Sequence, residues 1–413
     1  MNPPQSGPAP FAIGEGEFVS LMAMLMALQA LAIDVMLPAL GVIARDLGVS
    51  GANERQLLIG VFLICSGIAS LIPGSVSDRF GRKPVILICL AAYFVISLAS
   101  ALVTDFTLLL VLRGLLGVFT SGLMVMPAAV VRDRFEGDRM ASMQSLIAMV
   151  FMVVPMLAPL LGQGVMLVAG WRWIFGVMAS LALVFGIWTW LRLPETLHVE
   201  HRQSIKPRTI LSNMHAAVTH RDAIGYFLGA ALVQSALLGY VSSAQQLLAE
   251  ALGAGDAFPA IFGVMALIMA CTNFVNSRIV ERFGARRVSQ TALIGLILVS
   301  AFHLSLAMSG RETLWQFVPL MTVAMCFISF IGANFQAIAL QPFARTAGAA
   351  ASALAFVRLV AGASLGLLIG QAFDGTARPL IGAMVVFGIC ALLLVLYSEK
   401  GRLFRRLHYP TTD

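Results

Sequence analysis

Long apolar runs alternate with short polar breaks along almost the whole chain. The runs fall at about 17–43, 55–77, 84–104, 106–131, 140–167, 171–192, 222–250, 257–280, 287–308, 314–340, 346–373 and 378–398. Each is about 20 residues or longer, the length an α-helix needs to cross a hydrocarbon core about 30 Å thick. The breaks carry the charges and the Gly and Pro clusters that end helices. The pattern therefore predicts an all-α membrane protein with twelve spans. The longest polar stretch divides them six and six. The expected organisation is a tail at 1–16, a six-helix bundle over 17–192, a loop at 193–221, a second six-helix bundle over 222–399 and a tail at 400–413.

Composition agrees with the pattern. Of the 413 residues, 59% belong to the AVILMFWYC class and 11% are charged, against about 45–50% and about 25% in soluble domains. Little chain is left for a soluble output or catalytic domain. The formal charge of +7 takes its meaning from where the cations lie. With the N-terminus placed inside, 20 of the 27 Lys and Arg residues fall on that side and five on the other, while Arg113 and Arg358 lie within spans. The positive-inside rule then puts both termini in the cytoplasm. The basic excess is a topology signal and calls for no nucleic-acid partner. Residues 1–17 hold no Lys or Arg, so the run from Phe18 reads as a retained span and not as a signal peptide.

Chemistry-bearing clusters are sparse. Cys65, Cys89, Cys271, Cys326 and Cys390 each sit in a different run without a CxxC spacing, which argues against a disulfide framework or a zinc site. His198 and His201 lie in the polar loop and are not read as metal ligands. A nucleotide-binding GxxxxGK[ST] loop is absent, as is any catalytic constellation within the spans. Neither an enzyme nor an ATP-driven pump is expected, and no cofactor is.

Two loops repeat one another. The loop after span 2 contains Gly74, Asp78, Arg79, Phe80, Gly81, Arg82 and Lys83. The loop after span 8 contains Glu281, Arg282, Phe283, Gly284 and Arg286. The offset from Asp78 to Glu281 is about half the chain, and the order acid, Arg, Phe, Gly, spacer, base is kept. Two halves related by duplication follow, as in a large class of secondary transporters.

The first loop resembles the GxxxDRxGRR signature of the major facilitator superfamily. Asp34-Val-Met-Leu-Pro38-Ala-Leu in span 1 is similar to the D-x-x-LPAL segment of twelve-span drug:proton antiporters. Arg113-Gly-Leu-Leu-Gly117 in span 4 is similar to their RxxQG motif, with Leu116 in place of Gln. Span 5 carries Pro155, Ala158, Pro159, Gly162 and Gln163, close to the antiporter motif GPxxGG. Trp171-Arg172-Trp173-Ile-Phe175 and Leu193-Pro194-Glu195-Thr196-Leu197 flank span 6 as in the bicyclomycin and chloramphenicol resistance (Bcr/CflA) branch.

The resemblance implies two pseudo-symmetric six-helix bundles rocking about a midplane cavity. It implies export of small hydrophobic or amphipathic compounds in exchange for protons, in a bacterial inner membrane, with the proton gradient as energy source and the monomer as working unit. A proton-linked importer or metabolite exchanger on the same fold is the alternative. The resemblance also implies that Asp78 lies against a helix N-terminus of the other half and that Arg79 or Arg82 pairs with Asp133.

Within spans an ionisable residue is a functional candidate by default, because a charge in hydrocarbon costs at least about 2.5–3.5 kcal/mol. Asp34 lies about 25 Å from the start of span 1 and Arg113 about 10 Å into the oppositely directed span 4 at 1.5 Å per residue. The depths match, so an Asp34–Arg113 pair is expected if spans 1 and 4 are neighbours. It serves either proton coupling or helix register alone. Arg358 in span 11 is a candidate for binding a polar or anionic substrate group or for pairing with Asp34, the plain alternative being that it snorkels into cavity water or bonds span 2 carbonyls. Gln234, Tyr240, Asn334 and Gln336 are cavity candidates whose plain alternative is interhelical hydrogen bonding. Met26, Ala30 and Met124 complete the candidate pocket, flexible thioethers suiting an adaptable apolar site. Pro155 and Pro159 predict a kinked span 5 where the halves meet.

Overall fold

The computed structural model describes residues 13–51, 53–135, 137–197, 219–343 and 347–404. His198, His201, most of the 193–221 loop and the outermost parts of both tails lie outside the described residues. Among the described residues regular structure is helical throughout, and twelve spans are present when one bent pair is taken as one. They are α1 (Glu15–Asp46), α2 (Glu54–Ala69 with Ile72–Phe80), α3 (Arg82–Ala101), α4 (Phe106–Arg134), α5 (Gly137–Ala169), α6 (Arg172–Arg192), α7 (Arg221–Ala251), α8 (Phe258–Phe283), α9 (Ala285–Met308), α10 (Leu314–Leu340), α11 (Ala347–Gln371) and α12 (Arg378–Ser398). An even number of spans returns the chain to the side where it began. We call this the terminus side and its opposite the far side.

Each half closes on itself through its own helices. In the first, α3 packs on α4 and α6, and α4 on α2; in the second, α7 packs on α11, α12 and α10. The repeat seen in sequence is also a repeat of backbone. Gly81 and Gly284, at equivalent places before α3 and α9, adopt φ of 102° and 86°, a region that L side chains rarely enter.

Two spans are interrupted, both next to proline. In α1 the helix runs to Asp34, passes through a short turn at Leu37–Ala39 and resumes at Leu40, because Pro38 has no N–H to return to the Asp34 carbonyl. In α2 the axis bends by 48° between Ala69 and Ile72, just ahead of Pro73. In span 5, Pro155 and Pro159 sit inside one helix that continues from Gly137 to Ala169.

The halves meet along two seams, α2 with α11 and α5 with α8. Small residues set both. Gly60 lies under Leu367 and Gly67 under Leu359 and Val360, while a Cβ at Gly263 of α8 would come within 2.8 Å of the Met156 carbonyl of α5. Beyond Gly67 the bend carries the end of α2 onto α3 and α4 of its own half. Between the seams α1 and α4 make at most marginal contact with α7 and α10. The halves are therefore loosely packed away from the seams, and a gap lies between them there.

Candidate functional site

The far side of the gap is clamped. Arg55 donates from Nη1 and Nη2 to the two carboxylate oxygens of Glu250 at 2.7 and 2.6 Å, and Gln245 donates to the same carboxylate at 3.0 Å. Buried Gln56 donates to Gln246, which donates to Asn53 at 3.1 Å. The Asn53 amide donates to the Gln371 and Phe373 carbonyls at 3.0 and 2.9 Å, and Gln371 returns a bond to the Asn53 carbonyl at 2.8 Å. Each of these except the Gln245 bond joins the first half to the second. A cavity of about 500 Å³ on this side is lined by Pro38, Gly41, Arg45, Arg55, Gln245 and Glu250 among others.

Above the clamp sits Asp34, buried at the break in α1 with 8% of its surface exposed. Arg113 is fully buried but makes no ion pair with Asp34. Its Nη2 donates to the Ala32 carbonyl at 2.8 Å and its Nε to the Leu58 carbonyl at 3.1 Å. The guanidinium carbon lies 4.5 Å from the centre of the Phe62 ring, and Nη1 is buried without a partner. The depth match read from sequence brings Arg113 within two residues of Asp34. What differs is the acceptor, because the α1 and α2 carbonyls, together with a ring, already surround the cation.

Glycines let these helices meet. A Cβ at Gly117, in the motif of Arg113, would overlap the Phe62 carbonyl of α2, and one at Gly162 of α5 would overlap the carbonyl of Val35, the residue after Asp34. Gly162 thus seats α5 on the break in α1. Gln29, one turn before Ile33, donates to Ser66 of α2 at 2.9 Å and keeps its Oε1 buried and unpaired. This intramembrane amide was not singled out from sequence, although a Gln inside an apolar run was the available signal.

On the terminus side Arg82 is buried and donates from Nε to Asp133 at 2.8 Å. It also pairs with Asp78 at 2.6 Å and donates to Ser77 at 2.6 Å. Asp78 is thereby held by its own half, four residues from its partner, and not against the other half as the resemblance implied. Arg79 lies over the exposed Phe80 ring, and Lys83 donates to the Trp190 carbonyl at 2.7 Å. Gly74 accepts a bond from Ser77.

Glu195 of the Leu-Pro-Glu-Thr-Leu segment accepts from the backbone N–H groups of Arg82 and Lys83 at 2.8 and 3.1 Å, capping α3. Its carboxylate fills the space a side chain at Gly81 would occupy. In the second half Arg286 donates to Glu399 at 2.7 Å, Arg282 lies over the Phe283 ring, and Glu281 is exposed.

The remaining candidates separate into two groups. Asn334 donates to Asn276 of α8 at 2.9 Å. Tyr240 donates to the Met265 sulfur at 3.2 Å and stacks on Phe262, so both tie helices within the second half. Arg358, by contrast, has one side-chain partner among the described residues, the Gln336 oxygen at 3.3 Å, and its Nε is buried without any among them. It does not pair with Asp34. Gln234 packs against Gly362, one turn after Arg358. Ala30 is buried, Met26 half-buried and Met124 exposed.

Among the described residues no group of His, Cys, Asp and Glu is placed to hold a metal ion. Two six-helix halves that meet at two seams, are clamped to each other on one face and hold isolated buried charges, define a membrane transporter and not an enzyme. The chain belongs to the Major Facilitator Superfamily, whose sequence pattern matches residues 22–367. The motif resemblance to drug-resistance transporters agrees with its relatives. It is 30% identical to the multidrug resistance protein MdtL of Klebsiella pneumoniae over 90% of this chain and 92% of that one. It is 27% identical to a bicyclomycin resistance protein homolog of Haemophilus influenzae over 92% and 94%. Among solved structures, a bacterial homolog of the human lysosomal transporter Spinster superposes with a TM-score of 0.71 at 14% identity, covering 96% of each chain.

Proposed function

We propose that this protein is a proton-coupled exporter of small, largely apolar or amphipathic compounds, working by rocking of its two halves across a bacterial inner membrane. Both termini are cytoplasmic, and the far side faces outward. The single observation that carries the reading is Asp34, the one carboxylate deep in a span among the described residues, buried at a helix break beside an arginine with a free donor. Relatives named for bicyclomycin and multidrug resistance support the direction and the substrate class.

The chemistry follows from the placement. When Asp34 is protonated, Arg113 stays on the Ala32 and Leu58 carbonyls and holds α1 against α2 and α4. When Asp34 is charged, the free Nη1 of Arg113 is drawn to it, the lashing of α1 loosens, and the far-side clamp beneath the break can part. A proton taken from outside and released to the cytoplasm resets the cycle as substrate moves the other way. One charge crossing about 100 mV supplies about 2.3 kcal/mol, and at about 1.36 kcal/mol per tenfold that sustains roughly a 50-fold gradient. The proton gradient needs no cofactor, and one chain holds the whole pathway, so the monomer is the working unit.

The test uses sealed proteoliposomes with an imposed pH gradient and chloramphenicol-like and bicyclomycin-like compounds, recording internal pH. Compound-triggered proton flux is the expected result, and Asp34→Asn should abolish it while ligand binding survives. Full uphill transport by that variant would remove Asp34 from the mechanism. Silence across the panel in protein that still binds ligand would favour a metabolite exchanger.

A further inference from the structure

The charges inside the membrane are unevenly shared. In the second half the sequence holds no Asp or Glu in α7 between Asp222 and Glu250, and none in α8 before Glu281 or anywhere in α9 to α12. Arg358 lies about 11 residues from the start of α11, or about 16 Å at helical rise, near mid-membrane and far from any carboxylate of its own half.

Its surroundings leave it unsatisfied. The guanidinium carries five donors, yet its one side-chain bond is a long one to the neutral amide of Gln336, and Nε is buried with nothing to donate to. Two turns of α11 beyond it fix the direction of the helix: Gly362 seats against Gln234 and Gly366 against Leu238, both of α7, while Leu359 and Val360 turn to α2 at the seam. Arg358 therefore lies on the α7 side of α11, next to the exposed Gln336 of α10. The other intramembrane arginine is already engaged by two carbonyls and a ring.

We infer that Arg358, positioned by Gln336, is the polar anchor of the substrate site, and that the transporter selects amphipathic compounds presenting an anionic oxygen group and rejects lipophilic cations. The inference rests on the transport reading. An oxyanion supplies the acceptor that Nε lacks and a charged partner in place of the long bond to Gln336, in a bidentate geometry suited to a guanidinium. A cation entering the same place meets an unshielded like charge.

The experiment compares three naphthalene probes that differ in one group: carboxylate, carboxamide and trimethylammonium. Binding to purified protein in detergent is measured apart from proton-driven flux in proteoliposomes. The expected order is carboxylate, then carboxamide, with the ammonium compound much weaker. Arg358→Gln should weaken carboxylate binding roughly tenfold or more and leave the carboxamide nearly unchanged, Arg358→Lys should restore part of the loss, and Gln336→Leu should weaken the carboxylate less than Arg358→Gln does. The absence of charge discrimination in the unaltered protein, whether all three probes bind alike or none binds, overturns the inference. So does discrimination that survives both Arg358 variants. Discrimination in detergent without proton-driven flux refutes the transport reading and leaves the anchor standing.

Discussion

The carbonyl of Ala32 accepts a hydrogen bond from Arg113 at 2.8 Å, so the buried cation of α4 grips the backbone of α1 two residues ahead of Asp34. A second bond to Leu58 makes Arg113 a three-helix fastener whose third nitrogen, Nη1, is idle.

Arg113→Lys should therefore be damaging despite keeping the charge. A single ammonium cannot reproduce the fork that reaches both carbonyls and lies flat on Phe62. Leaving a buried acceptor unpaired costs about 1–3 kcal/mol. A lower melting temperature in detergent together with lost transport is expected, and wild-type behaviour in both would show the fastener to be dispensable.

Gly162→Ala and Gly164→Ala form a matched pair two residues apart. At Gly162 the added methyl meets the Val35 carbonyl, whereas at Gly164 it meets nothing within 4 Å. Overpacking of this kind costs about 1–3 kcal/mol. Thermal unfolding and transport should both suffer in the first variant and stay near normal in the second.

On the far side, Glu250→Gln removes the ion pair with Arg55 while keeping a similar shape. The arginine side chain is largely covered and the glutamate half-exposed, so the loss lies near the upper part of the range of about 0.2–1 kcal/mol for exposed pairs. That is enough to change the ratio of two conformations several-fold. Spin labels on the far ends of α1 and α7 should report a larger population with the far side parted. An unchanged distance distribution would mean that the amide contacts alone hold this face.

Glu195→Gln tests the cap on α3. The variant can still accept one bond but loses the charge that favours a helix N-terminus, and Glu195→Ala loses both acceptors. Caps of this type are worth about 0.5–2 kcal/mol, so stability should fall in the order wild type, Gln, Ala.

The twelve spans were legible because each must be apolar over a membrane thickness, and the repeat was legible because Gly81 and Gly284 are demanded by the same positive φ. Arg82 with Asp133 was reachable through the motif. The far-side clamp was not, since Asn53, Arg55 and Gln56 meet partners about 190 to 320 residues away and a single sequence gives no hint of who faces whom. The polar trio Gln245, Gln246 and Glu250 in an otherwise apolar span was the visible trace. For Asp34 and Arg113 equal depth was readable, but depth says nothing about competing backbone acceptors. One of those, Ala32, stands just ahead of the break in α1, and the other, Leu58, belongs to α2. Glu195 stood in a recognised segment, yet its use as a cap depends on the chain returning beside Gly81.

The clamp described above is made mostly of neutral amides and backbone carbonyls, with Arg55–Glu250 as its pairing of two formal charges. Ionic strength weakens exposed charge pairs within about a Debye length, about 8 Å at physiological salt, but leaves amide bonds nearly untouched. A closure built in this way is buffered against the salinity of the medium. Salt in the surrounding fluid then has little hold on the balance between conformations.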